Sequence, residues 1–244
     1  MTGLFIISPV FGRRNIPVYL KIGFSVIMSL ILINTIQDDG LSSIGNISNV
    51  YQYMLVVLKE FITGLMIGFV SYIFFSVIYL AGQLIDVQTG FAMVNVLDPA
   101  SNIQMPITSN LYYIISMIVF LGIRGHHMLI KAVFDSYKFV PIGGAVFDDK
   151  IVEDFIRIFG EILATGVKIA APVTAAIILT DVALGILSKT IPQMNIFIVG
   201  MPLKIVMGIV IIMLSLPLFI MLLGDLFSRM NEEIINFINS IRTG

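Results

Sequence analysis

Five stretches of this chain consist almost wholly of apolar residues and approach the length of a helix that crosses a bilayer. They lie at residues 18–36, 61–80, 107–123, 162–187 and 205–223. A crossing helix needs about 20 mainly apolar residues. Across all 244 residues, 58% are hydrophobic and 12% are charged, against about 45–50% and about 25% in soluble domains. The sequence therefore predicts an all-α integral membrane subunit, and the lack of a polar linker predicts one domain, residues 1–244.

The five stretches differ in length and in how many charged residues and prolines interrupt them. The third is short, and the fourth contains Lys168, Pro172 and Asp181. Proline removes a backbone donor and kinks a helix, so we expect long kinked helices. A cation at bilayer depth costs about 2.5–3.5 kcal/mol, so Lys168 is expected to face a partner or a wet cavity.

Basic residues do not give a consistent membrane topology. Arg13, Arg14 and Lys21 place the N-terminal side in the cytoplasm, because short cytoplasmic loops are rich in Lys and Arg. If each apolar stretch crossed the membrane in turn, residues 81–106, which hold no Lys or Arg, would lie in the cytoplasm. The basic residues from 124 to 150 would then lie outside. Two explanations are open. Some segments are hairpins that do not cross fully, or the helices lie inside a large assembly, which we favour.

Two segments have amphipathic patterns. Polar residues recur at helical spacing from Lys150 through Asp154 and Arg157 to Lys168, which predicts a solvated helix face over the first turns. Residues 225–242 form an amphipathic C-terminal helix with Phe227 and Ile234 on its apolar face. This helix is expected to lie on a membrane surface or to dock on a partner, and docking is favoured because it lacks a cationic face.

No pattern in the sequence predicts an enzyme. Metalloprotease, P-loop and dinucleotide-binding motifs and cysteine nucleophiles are all absent. The adjacent His126 and His127 would point about 100° apart on a helix and would not share a metal, so we expect no metal and no cofactor. A net charge of -1 without a Lys/Arg cluster argues against nucleic acid as a partner.

Single polar and small residues inside the apolar stretches are the candidate functional positions. Asp86 and Asp181 fit a proton or ion pathway, but a helix-end cap or a bond to a neighbouring subunit fits as well and is favoured. Gly64 and Gly68 would allow close helix approach. The candidate polar intramembrane or interface residues are Asp86, Lys168, Asp181 and Lys204, and the candidate packing glycines are Gly64, Gly68, Gly82 and Gly90.

Residues 90–108 form an apolar segment that cannot be one regular helix. Asp98-Pro99 and Pro106 interrupt it. Exposed to water, such a segment would be an aggregation hazard, so it must be buried. A Met-bearing apolar loop suits a seal or constriction, and the alternative is a loop that packs against its own helices.

A further set of residues, spread over nearly the whole chain, has a specific order and spacing. The set is Pro9-Val10-Phe11-Gly12, Ile16-Pro17, Gly64, Gly68, Ala81-Gly82, Asp86, Gly90, Asp98-Pro99, Pro106, Gly125-His126, Ala171-Pro172, Asp181, Leu184-Gly185, Pro192-Gln193, Asn195, Phe197, Gly200, Pro202 and Lys204. In this pattern the chain resembles the FliR/SctT family, the R-type subunits of flagellar and type III secretion export gates.

The resemblance implies a core subunit that joins P-type and Q-type subunits in an inner-membrane channel of the flagellar basal body. Its fold would be a P-like part followed by a Q-like hairpin. Further implied partners are the B-type switch subunit, the A-type export subunit and unfolded protein substrates. The family's plug loop falls on residues 93–106, where the implied gate residues are Met93, Val94, Val96, Leu97, Asp98, Pro99, Met105 and Pro106.

One departure concerns the first helix. Family members begin with a complete apolar helix, whereas Met1 to Val10 resembles only its end, so either the start is misassigned or the helix is truncated. The alternative function is a secondary transporter or ion-conducting membrane protein, which would require inverted repeats that are not visible here. A structural scaffold is the third reading.

Overall fold

The computed structural model describes residues 1–13, 15–34, 49–93, 106–193 and 195–242. The helices in these ranges are α1 (Thr2–Ile7), α2 (Val18–Ile33), α3 (Val50–Thr89), α4 (Ile107–Gly122), α5 (Gly125–Phe139), α6 (Asp149–Thr190) and α7 (Ile196–Arg242). A single 3-10 turn, Phe91–Met93, follows α3. The described part of the chain contains no strand, and the predicted all-α class is confirmed.

Three of the helices are much longer than a bilayer crossing requires. Helices α3, α6 and α7 have 40, 42 and 47 residues, which correspond to about 60–70 Å at about 1.5 Å per residue, against a hydrocarbon core of about 30 Å. These three are long and apolar enough to cross a membrane, and the bent pair α4 and α5 is a fourth candidate. All five apolar stretches of the sequence contribute to these helices and to α2.

Three prolines lie inside the long helices without ending them. Pro172 lies inside α6, and Pro202 and Pro217 lie inside α7, with helix on both sides of each. The ends of α6 follow ordinary helix electrostatics, because Asp149 stands in its first turn and Lys189 in its last. An acid near the positive end of the helix dipole and a base near the negative end are both favourable.

The described residues form two compact units. The first unit draws on residues 1–75, 120–160 and 226–244. Its core contains the rings of Phe75, Phe120 and Phe227, whose centroids lie 5.0–5.3 Å apart. All three side chains are at most 2% exposed, and such aromatic clusters contribute packing energy beyond the area that they bury.

The amphipathic segment predicted at residues 225–242 is the end of α7, and from Leu226 onward it belongs to this first unit. Its apolar side chains are buried against the first unit: Phe227, Met230, Ile234, Phe237, Ile238 and Ile241 are at most 2% exposed. Phe237 meets Phe155 of α6 at 5.4 Å between ring centroids, and Ile241 accepts a hydrogen bond from the N–H of Val146. The apolar face is therefore covered by the chain itself, where the sequence left a choice between a membrane surface and a partner.

The second unit draws on residues 76–119 and 161–225. Here the Tyr112 ring of α4 stacks on Phe219 of α7 at 4.2 Å. Gly208 of α7 lies against Thr89, the last residue of α3, so closely that an added Cβ would come within 2.5 Å of the threonine methyl group. The second unit thus brings the end of α3, the start of α4 and the middle of α7 together.

Candidate functional site

The centre of the candidate site is a carboxylate that caps a helix from another part of the chain. Asp86, in the last turn of α3, is 3% exposed. Its Oδ1 accepts a hydrogen bond from the N–H of Thr108 at 3.0 Å, and its Oδ2 accepts one from the N–H of Ser109 at 3.4 Å. These N–H groups belong to the first turn of α4, where backbone donors have no partner within the helix. Asp86 therefore occupies the position of an N-terminal cap and also meets the positive end of the helix dipole.

Two further contacts hold the start of α4 against α3. The Ser109 hydroxyl donates to the carbonyl of Tyr79 at 3.0 Å. A Cβ on Gly82 would lie 2.3 Å from the Cα of Ser109, so only glycine permits this approach. Tyr79, Gly82 and Asp86 share one face of α3, since they follow a spacing of three and four residues. We call this arrangement the α3–α4 clasp: Tyr79, Gly82 and Asp86 with Thr108 and Ser109.

The clasp joins the two helices that flank the predicted plug segment. Gly90 ends α3 with a φ of +90°, a left-handed conformation that favours glycine over other residues. The 3-10 turn at Phe91–Met93 follows, and Pro106 directly precedes α4, whose first turn includes a bond from the N–H of Asn110 to the Pro106 carbonyl at 3.1 Å. The predicted gate residues Val94, Val96, Leu97, Asp98, Pro99 and Met105 lie outside the described residues.

Two of the predicted polar residues form an ion pair. The Lys204 ammonium of α7 lies 2.5 Å from Oδ1 of Asp181 of α6. The side chains remain 27% and 42% exposed, so each charge is balanced by its partner at a part-exposed position. The sequence singled out both residues without linking them, because they are separated by the turn between α6 and α7.

Lys168 and the earlier residues of the polar stripe differ in their exposure and in their partners. Lys168 is exposed, and no described carboxylate pairs with it. Earlier in the stripe, Arg157 donates to both carboxylate oxygens of Glu233 at 2.9 and 2.7 Å. Asp154 accepts from the Ser240 hydroxyl at 2.8 Å. The first turns of α6 therefore use part of the predicted solvated face to bind the end of α7.

Two of the candidate packing glycines of α3, Gly64 and Gly68, lie against α1. A Cβ on Gly64 would be 3.5 Å from the nitrogen of Leu4, and one on Gly68 would be 3.3 Å from the Leu4 carbonyl. The tightest contact comes from Gly3 of α1, where an added Cβ would be 2.6 Å from the backbone of both Phe61 and Leu65. Sequence reasoning named Gly64 and Gly68 but missed Gly3, since one glycine in a short apolar helix has no visible spacing pattern.

Glu60 of α3 is a second carboxylate that binds other parts of the chain. Unlike Asp86, it was not predicted from the sequence. It accepts hydrogen bonds from the Tyr137 hydroxyl at 2.7 Å and from the N–H of Gly143 at 2.9 Å. Lys59 donates to the Gly143 carbonyl at 3.4 Å. These bonds hold the turn that follows α5, where Gly143 has a φ of +75°. An acid at the edge of an apolar stretch, followed later by a Gly-Gly turn, was the only signal available.

The described residues show no arrangement typical of an enzyme. No group of three or more His, Asp or Glu side chains among them could hold a metal ion. His126 and His127 lie in the first turn of α5, and their ring centroids are 4.3 Å apart. Asp86 contacts backbone amides, which do not exchange protons as a relay requires. The geometry of the site is that of a structural frame.

Comparison with known proteins identifies the family. The flagellar biosynthetic protein FliR of Bacillus subtilis is 30% identical over 241 residues, which are 98% of this chain and 91% of that protein. FliR of Escherichia coli is 25% identical over 234 residues, covering 96% and 88%. The Yop proteins translocation protein T of Yersinia pestis is 29% identical over 203 residues, covering 82% and 76%. The family described as bacterial export proteins, family 1, matches residues 1–230, and this chain belongs to that family.

Proposed function

We propose that this chain is a core subunit of a type III protein-export gate and that it forms the export channel together with P-type and Q-type subunits. The observation that carries the proposal is the family match over residues 1–230, joined to relatives named for flagellar biosynthesis and for Yop protein translocation. The chain is a component of a bacterial export apparatus, and its family is one of structural subunits rather than a known enzyme family.

The apolar helices support a place in the bacterial inner membrane. Three helices in the described part of the chain satisfy the length and composition of a membrane crossing. These helices expose large apolar side chains. Leu179 of α6 is 70% exposed, and Met213 and Leu214 of α7 are 69% and 72% exposed. A lone chain with such surfaces would be unstable in water. We propose that other export subunits cover part of them, within the flagellar basal body.

Residues 93–106 are proposed as the plug of the channel. The segment is apolar and contains two prolines, and the α3–α4 clasp supports the proposal because it holds the residues on both sides of the segment. An apolar ring in a pore excludes water and ions until a substrate displaces it. An unfolded protein is a substrate that makes many apolar contacts, so it would open such a seal without a binding site of fixed shape.

A leak measurement tests the plug. We would replace Val94, Val96 or Leu97 with aspartate in the complex with P-type and Q-type partners, reconstitute it in liposomes and follow ion flux with an entrapped dye. We expect faster flux than in the wild type, because a charge in an apolar constriction recruits water. The matched control is Val50→Asp, at an exposed position that begins α3, and it should remain tight.

The result that contradicts the plug is wild-type flux in all three variants while export in cells is normal. In that case the apolar segment only packs against its own helices. A flux that is high and substrate-selective in the isolated chain, with no partner present, would instead favour the transporter reading.

A further inference from the structure

An apolar cleft opens in the first unit between α1 and the first half of α2. Its volume is about 430 Å³, which lies within the range of about 300–1,000 Å³ for small-ligand sites. The lining residues that matter here are Phe5, Phe11, Phe24, Tyr19, Lys21 and Gly23. We call this space the α1–α2 cleft.

Aromatic rings form the inner wall of the α1–α2 cleft. Phe5 lies 4.9 Å from Phe11 and 5.3 Å from Phe24, both edge to face, and Phe11 stacks on Phe24 at 6.1 Å. Phe5 is 2% exposed and anchors the group in the core. Rings that already pack on one another give a pre-formed wall, so a ligand would not have to order it.

One cation lines the cleft. Lys21 is half-buried, and no described carboxylate pairs with its ammonium group. The sequence around it is basic, since residues 1–37 contain Arg13, Arg14 and Lys21 and no acidic residue. The side chains of this part of the sequence have a formal charge of +3, which favours an anionic ligand.

The cleft continues into an apolar outer surface rather than into a polar one. Helix α2 buries only Ser25 and Leu32, while Tyr19, Ile27 and Leu30 are 73%, 56% and 58% exposed. A small soluble anion would need several polar donors, and the side chains of this lining offer only the Lys21 ammonium and the Tyr19 hydroxyl. A ligand with an apolar chain and an anionic head satisfies the rings, the cation and the outer surface together.

We propose that the α1–α2 cleft binds an acyl chain of an anionic phospholipid and that Lys21 pairs with the phosphate of its headgroup. Lysine is a common partner of phosphate, and basic pockets beside membrane helices bind anionic headgroups. Gly23 leaves space for the chain, because an added Cβ there meets no atom within 4 Å. This proposal is independent of the export function, since it needs only a chain in a membrane.

Native mass spectrometry of the full chain, released from nanodiscs of defined composition, tests the proposal. In equal mixtures of phosphatidylglycerol and phosphatidylcholine we expect retained lipid to be mainly phosphatidylglycerol. Lys21→Gln should reduce that preference about fivefold, the effect of about one basic residue near an anionic surface. Gly23→Leu should fill the cleft and lower the retention of both lipids. The helical circular dichroism of both variants should match the wild type.

Matched controls separate the cleft from general lipid contact. Lys150→Gln removes an exposed lysine at the start of α6, and Gly185→Leu adds the same side chain at a helical glycine that also has nothing within 4 Å. Both should retain lipid as the wild type does. Competition with inorganic phosphate should not displace the lipid.

Three outcomes would overturn the proposal. Equal retention of the two lipids by the wild type means ordinary contact with the bilayer, and displacement by inorganic phosphate means a simple anion site. Loss of the lipid when the chain is assembled with its P-type and Q-type partners means that a protein segment fills the cleft instead.

Discussion

Replacing Asp86 with alanine removes the two hydrogen bonds by which α3 caps the first turn of α4. The N–H groups of Thr108 and Ser109 lie in buried residues, so water does not readily replace the lost carboxylate. The bond to Thr108, at 3.0 Å, has ordinary length, whereas the bond to Ser109, at 3.4 Å, is long and weak. One full charge-assisted bond and a fraction of a second are therefore lost.

The expected magnitude follows from these two bonds. Removing a cap costs typically about 1 kcal/mol and up to about 2 kcal/mol, and hydrogen bonds to charged groups contribute about 1.5–3 kcal/mol. We expect Asp86→Ala to lower the free energy of unfolding by about 2–3 kcal/mol. Asp86→Asn keeps one acceptor oxygen but turns an amide NH2 toward a donor, so it should lose about 1 kcal/mol.

Hydrogen exchange and unfolding together measure the effect. A local destabilisation of about 2 kcal/mol should speed exchange at the amides of Thr108 and Ser109 by about 30-fold. Global stability is read from helical circular dichroism during unfolding in detergent. The control is Asp225→Ala, the same change at an exposed position of α7, which should shift stability by less than about 0.5 kcal/mol. Wild-type exchange at Thr108 and Ser109 in Asp86→Ala would refute the cap.

Four other substitutions test the packing and one ion pair. Gly82→Ala should destabilise the chain by about 1–3 kcal/mol, because its Cβ would meet the Ser109 backbone at 2.3 Å. Gly185→Ala, which meets nothing within 4 Å, should instead be neutral or stabilise by up to about 1 kcal/mol; unfolding followed by circular dichroism compares the two. Phe237→Ala should cost about 3–5 kcal/mol and release the end of α7, which limited proteolysis detects. Glu233→Gln should cost no more than about 1 kcal/mol in unfolding experiments, because Arg157 is 42% exposed.

Each of these has an outcome that contradicts its reasoning. Equal effects of the two glycine substitutions would mean that the close approach of α3 and α4 is not limiting. An unchanged protease pattern in Phe237→Ala would mean that the end of α7 is held by its polar contacts. A loss well above about 1 kcal/mol in Glu233→Gln would mean that the ion pair is shielded from solvent more than its exposure indicates.

Apolar runs in the sequence predicted where helices lie but not how long they are. The run at 61–80 is the middle of the 40-residue α3. Residues of α3 outside this run make contacts that a hydropathy pattern does not contain, such as the bonds of Glu60 to Tyr137 and Gly143. The prediction of kinked helices came from a proline, Pro172, that lies within a continuous helix in the structure.

The candidate polar residues stood out in the sequence because a charged group in an apolar stretch is energetically costly. Their partners could be identified only from the folded structure. A carboxylate at Asp86 stands out in an apolar stretch, but its bond to Thr108 joins residues 22 apart across the predicted plug segment. The pairing of Asp181 with Lys204 likewise crosses a turn between two helices. Periodicity predicted an apolar face at residues 225–242, and the contact between Phe155 and Phe237 on that face is visible only in the packed chain. The P-like and Q-like parts and the gate residues stay predictions.

The central claim is that this chain works as one subunit of a larger export gate. The most direct measurement is the mass of the complex that copurifies in mild detergent when the chain, carrying the only tag, is expressed with its P-type and Q-type partners. We predict a large complex that contains one copy of this chain and both partners. A stable monomer or dimer of this chain, free of both partners, would contradict the account.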